Sequence, residues 1–115
     1  MSTETQRYLL ALDLRPDDEL IRAYEEYHAP GNVWPPVLDS LREAGIREMQ
    51  IYRTGNRLVM VIEAEPDFTF ERKAALDAAN TVVQDWETLM STFQQAIPWA
   101  RPGEKWVPLQ KVFEL

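Results

Sequence analysis

Apolar residues come in short bursts along this chain, and the spacing within each burst separates strands from helices. Tyr8-Leu9-Leu10-Ala11-Leu12 is continuous and too short for a helix, which predicts a strand over Arg7–Leu14 that ends at Arg15-Pro16. Asp17 and Asp18 supply capping oxygens and Glu19 adds acid to a first turn. Leu20, Ile21, Tyr24 and Tyr27 then recur at helical spacing, predicting a helix to about His28, broken by Ala29-Pro30-Gly31-Asn32. Trp34-Pro35-Pro36 opens a second helix with the stripe Val37, Leu38, Leu41 and Ala44, and Gly45 closes it. A hairpin follows: Arg47–Arg53, the turn Thr54-Gly55-Asn56, and Arg57–Ala64. The second run, Leu58-Val59-Met60-Val61-Ile62, is apolar on both faces and reads as central.

Phe70–Ala79 and Thr81–Ala96 read as helical with a break near Asn80. The second piece carries Val82, Val83, Trp86, Leu89, Met90 and Phe93. Pro98 ends it, and the loop Trp99–Glu104 leads to a last strand from about Lys105 to Phe113, where Pro108 marks an edge or a bulge. The order β-α-α-β-β-α-β predicts an α+β, ferredoxin-like domain: an antiparallel sheet with helices on one face and the first helix divided in two. The other face needs a partner, a ligand or both. No repeat or linker divides residues 1–115, so a single domain is expected.

Composition narrows the chemistry. The chain has no cysteine, which excludes disulfides, thiolate metal sites and a cysteine nucleophile, and makes the cytoplasm the default location. A net charge of −7 argues against nucleic acid or an anionic membrane as partner. No basic-then-apolar leader and no membrane-length apolar run is seen. One histidine and no P-loop or dinucleotide fingerprint leave no metal or nucleotide cofactor expected.

His28 is therefore the natural centre of any acid–base chemistry. It stands at a helix end, where the macrodipole favours the imidazolium, and Tyr24 lies one turn earlier on the same face. Taken alone, such a histidine is as readily a surface or capping residue. The tryptophans Trp34, Trp86, Trp99 and Trp106 could stack on the C–H faces of a sugar or simply pack a core. Glu25, Glu26, Glu87 and Glu104 could accept hydroxyls or face solvent.

Together, Tyr24-Glu25-Glu26-Tyr27-His28-x-Pro30, the following Trp34-Pro35, Ala44-Gly45-Ile46 before a strand ending Ile51-Tyr52, Gln84-Asp85-Trp86 and a final Lys111-Val112-Phe113 resemble the rhamnose mutarotase family from about Tyr8 to Phe113. The resemblance implies dimers of ferredoxin-like subunits, of the dimeric α/β barrel type. It implies cofactor-free interconversion of the α and β anomers of a 6-deoxy-L-sugar, a small neutral monosaccharide. It places His28 as proton donor, Tyr24 as a substrate-binding tyrosine and Trp86 as the first of a Trp-Trp contact. Two positions depart from the rhamnose pattern. Met49 stands where a second sugar-contacting tyrosine is expected, and Glu87 where the second tryptophan is. The segment from Glu65 to Asn80 is longer, and Pro102–Pro108 looks like the L-fucose subgroup. These features favour L-fucose over L-rhamnose, with Met49, Glu87 and Trp106 as further sugar contacts. Two rival readings are a ferredoxin-like monooxygenase, cofactor-free or with haem on His28, and a non-catalytic sugar-binding module.

Overall fold

A computed structural model describes residues 4–115. The apolar runs of the sequence become the strands of one antiparallel sheet. Its main strands are β1 (Gln6–Leu14), β2 (Ile46–Thr54) and β3 (Arg57–Ala64), and in β3 burial alternates along the run. β3 lies between β2 and β1, as its apolar character on both sides predicts. Leu10 faces Met60 and Leu12 faces Leu58 across the β1–β3 ladder, while Met49 and Ile51 face Ile62 and Met60 across the β2–β3 ladder. These side chains point to one face, where α1 (Asp18–Tyr27), α2 (Pro35–Glu43) and α4 (Thr81–Ser91) cover them. Leu12, Leu14, Leu58, Ile62 and Ile97 are the most completely buried, and each contributes about 1.5–3 kcal/mol relative to an exposed position. α3 (Phe70–Ala78) buries none of its residues fully and leans on the sheet through Leu76.

The helix starts follow their capping chemistry. The Asp17 carboxylate accepts from the Glu19 and Leu20 amides, the Thr69 hydroxyl from that of Arg72, and the Asn80 side chain from those of Val82 and Val83. α2 starts on Pro35 with no side-chain cap. Gly45 ends the α2 turn at φ +98°, and a Cβ there would meet Glu65 at 3.5 Å. The hairpin turn is tighter than predicted, with two residues, Gly55-Asn56, between the strands. Gly55 at φ +57° is the glycine that such a turn requires first, and the Asn56 side chain donates to the Leu14 carbonyl.

Two expectations are corrected at the C-terminal end. The helix predicted to run to Ala96 stops at Ser91, because hydroxyls of Thr88, Ser91 and Thr92 donate to the carbonyls of Gln84, Glu87 and Leu89, and Phe93 turns the chain. Gln94–Gln95 then forms β4 against Asp13 and Leu14. The long last strand predicted for Lys105–Phe113 shrinks to β5, Val107–Pro108, paired with Leu10 and Ala11. Both share the same edge of β1, so β4 blocks β5 from extending one way, and Pro108 has no N–H to donate. Beyond Leu109, whose amide still donates to the Leu9 carbonyl, the chain leaves the sheet. The resulting strand order, β2-β3-β1-β4, is that of a split βαβ domain. Among the described residues no helix is long and apolar enough to cross a membrane.

Candidate active site

The helices do not close fully on the sheet. A cavity of about 730 Å³ remains, floored by Met49, Ile51, Met60 and Ile62 and walled by all four helices and the segment before β5. That volume lies within the usual range for small-molecule sites. The six residues expected as proton donor or sugar contacts all border it: Tyr24, His28, Met49, Trp86, Glu87 and Trp106; of the other candidates Glu104 does, while Trp34, Trp99, Glu25 and Glu26 do not.

Local structure explains how His28 reaches it. α1 ends at Tyr27, so His28 is the capping residue, and the carbonyls of the last turn have no helical partners. The His28 ring takes one of them: Nδ1–H donates to the Tyr24 carbonyl at 2.8 Å. A carbonyl only accepts, so the proton sits on Nδ1 and the neutral ring carries its free lone pair on Nε2. The ring is held by neighbours as well. It overlaps Tyr24 at 4.3 Å between centroids, and Trp86 meets it edge-on at 5.6 Å. Trp34 and Tyr27 in turn press edge-on against Trp86, making that buried indole the hub of the aromatic wall.

The electrostatics correct one expectation. A helix end was expected to favour imidazolium, but burial pushes the His28 pKa down, and the bond to the Tyr24 carbonyl offsets only part of that. His28 is therefore a neutral base at neutral pH. Burial also pushes the Tyr24 hydroxyl up to about 12; the Gln94 amide opposes the shift and the Glu87 carboxylate adds to it. Tyr24 is thus a proton-bearing phenol beside an unprotonated imidazole nitrogen.

The charged groups around the cavity are matched. Glu87 meets Lys105 at 3.3 Å, and Lys105 also donates to Ser91. Lys73 and Asp77, one turn apart on α3, pair at 2.6 Å and are mostly buried. Glu104 borders the cavity and accepts from the Arg101 amide. Glu25 pairs instead with Arg53, away from the cavity, and Trp99 is exposed with the Arg57 guanidinium 5.0 Å from its ring. Among the described residues no three His, Asp or Glu side chains gather as a metal-holding group.

Two contributors went unseen in the sequence. The Lys73–Asp77 pair had a legible signal in its i,i+4 spacing. Gln94 had none, because the helix expected there gave it no defined direction.

Known proteins resemble this chain over most of its length. The model of the L-rhamnose mutarotase family matches residues 7–115. An L-fucose mutarotase from Xanthomonas campestris pv. campestris is 46% identical over 96% of this chain and 88% of its own. An L-rhamnose mutarotase from Paraburkholderia phytofirmans is 29% identical over 80% of each chain. Among solved structures, an L-rhamnose mutarotase from Formosa agariphila superposes with a TM-score of 0.68 at 23% identity, covering 96% of this chain and 98% of that one. A tetracenomycin F2 cyclase from Streptomyces glaucescens gives 0.54 at 18% identity over the same shares. At these identities the two structures speak for the fold alone.

Proposed function

The chain belongs to the L-rhamnose mutarotase family, and from that premise we propose that it interconverts the α and β anomers of a free 6-deoxy-L-sugar, L-fucose before L-rhamnose, without a cofactor. The observation that carries the mechanism is the Nδ1–H bond of His28 to the Tyr24 carbonyl, which leaves Nε2 as a base at the wall of the cavity. In the forward direction Nε2 takes the proton of the anomeric O1 hydroxyl. The C1–O5 bond breaks, the electron pair goes to O5, and the Tyr24 phenol protonates it. The open aldehyde turns about C1–C2. Ring closure on the other face returns the O5 proton to Tyr24 and the imidazolium proton to O1. His28 is thus the base of one half-reaction and the proton donor of the other. No oxidation or hydrolysis occurs, so the chemistry asks for no metal or nicotinamide.

Paired charges favour a neutral ligand, since no cation among the described cavity residues is left over for a phosphate or carboxylate. The floor of Met49, Ile51, Met60 and Ile62 suits a C–H face and a methyl group. The choice of L-fucose is supported by the 46% identical relative and by Met49 and Glu87. Glu87, Trp86 and Trp106 serve as further sugar contacts in this reading. We further propose that residues 1–115 act as one domain of a cytoplasmic homodimer. The uncovered sheet face with Leu9 and Tyr52, and the exposed Val112 and Phe113 of the C-terminal tail, support self-association.

Saturation-transfer NMR on L-fucose and L-rhamnose tests the mechanism. His28→Ala is expected to lose about 10²–10⁴-fold in anomer exchange. Undiminished exchange would remove His28 from the reaction, and sugar binding with no exchange by the unaltered chain would favour a binding module.

A further inference from the structure

A ligand rich in hydroxyls needs polar groups with bonding capacity to spare, and most polar groups around this cavity have little. Lys73 and Asp77 hold each other, Lys105 is engaged by Glu87 and Ser91, and the Ser40 hydroxyl donates to the Val37 carbonyl. Gln94 is different. It is 8% exposed, and its Oε1 is the one buried side-chain nitrogen or oxygen without a hydrogen-bond partner among the described residues. A buried carbonyl oxygen with no donor is costly, and folded proteins leave few of them.

The fold fixes where Gln94 stands. Its backbone is fixed in β4 opposite Leu14, on an edge of β1, directly after the buried Phe93. Its amide lies against the Tyr24 hydroxyl, so one end of the carboxamide is occupied and the other is unmatched. The residue borders the cavity, and the terminal torsion of a glutamine carboxamide is soft.

We infer that Gln94 is a specificity-determining substrate contact whose carboxamide oxygen accepts a hydrogen bond from one ring hydroxyl of the sugar. The inference rests on the mutarotase reading and adds which side chain tells one epimer from another. A site that leaves a buried acceptor unmatched discriminates strongly against a ligand lacking the matching donor. Through its contact with Tyr24, the same amide ties recognition of that hydroxyl to the phenol used in ring opening.

The test is a cycle between protein and ligand, read as enzyme-accelerated anomer exchange by saturation-transfer NMR. The substrates are L-fucose and its 2-, 3- and 4-deoxy analogues, all of which keep O1 and O5. The unaltered enzyme should lose at least about tenfold with one analogue relative to the others. Gln94→Met should abolish that selective penalty, and Gln94→Glu, which keeps an acceptor, should retain it. Equal rates for all analogues with the unaltered enzyme would overturn the inference without any variant. A selective penalty that survives Gln94→Met would overturn it too, while leaving the mutarotase reading in place. Failure of the unaltered enzyme to accelerate exchange of any of these sugars would overturn that reading, and the inference with it.

Discussion

The two faces of the sheet are made by the same strands and have opposite fates. On the helix-covered face Leu58, Met60 and Ile62 of β3 are buried, and the cavity is carved out of their packing. On the other face Val59 and Val61 of the same strand are half-exposed, Leu9 is exposed and Tyr52 is 61% exposed. The covered face is complete within one chain. The uncovered one carries a partly exposed apolar strip, Leu9, Val59, Val61 and Tyr52, between the ion pairs Arg7–Glu63 and Arg57–Asp13. Apolar residues on both sides of a central strand thus have two outcomes: one side is packed into the fold, the other is left open to solvent, where it supports the proposed self-association.

The largest expected contrast is in stability. Leu58→Ala should cost about 2–5 kcal/mol in chemical denaturation, because it opens a void among Leu14, Trp86 and Phe93. Val59→Ala, one residue along, should cost clearly less at low protein concentration; equal costs would mean that both faces are packed within a single chain. Next comes Val61→Asp, which places a carboxylate on the uncovered face. It should abolish dimers in sedimentation analysis while leaving the monomer folded, and a variant that sediments as the parent does would break the assignment of that face to self-association.

The smallest expected effect concerns pH and belongs to the covered face. The folded pKa of His28 is depressed, so the unfolded chain binds its proton first. The contribution of His28 to stability is present above the ordinary histidine value of 6.5 and is lost as pH falls below it toward the folded pKa. The acid limb of kcat/KM should follow the same group and lie below 6.5. A limb above that value would mean that the helix end prevails over burial.

How much of this was legible in the sequence depended on whether local chemistry decided the outcome. The α1 cap at Asp17, the Pro35 start and the β2–β3 hairpin are fixed by residues within a few positions of one another and are legible in the sequence, the hairpin turn to within one residue. The end of α4 was not, because Phe93 and Ala96 continue a helical stripe while three hydroxyls and an open edge of β1 end the helix. The length of the last strand depended on β4 already occupying part of that edge, which no local pattern records. Tyr24, His28, Met49, Trp86, Glu87 and Trp106 come from separate stretches of the chain, and only the folded sheet and helices bring them to one cavity. The charge state of His28 did not follow from its place at a helix end, since burial is a property of the folded chain. Gln94 was hidden for the same reason as β4, because its direction is set by a strand pairing rather than by periodicity.

The placement of β1 also bears on how the molecule comes into being. β1 leaves the ribosome before each of its partners β3, β4 and β5, and its nearest ladder partner in β3 is 44 residues away. The β2–β3 hairpin can close locally through its two-residue turn while β1 waits as an apolar, unpaired segment. Docking of β1 therefore joins the two halves of the chain. The nascent protein is most exposed to misassociation in the interval before β3 emerges, through the segment Tyr8–Leu12 that later anchors the sheet.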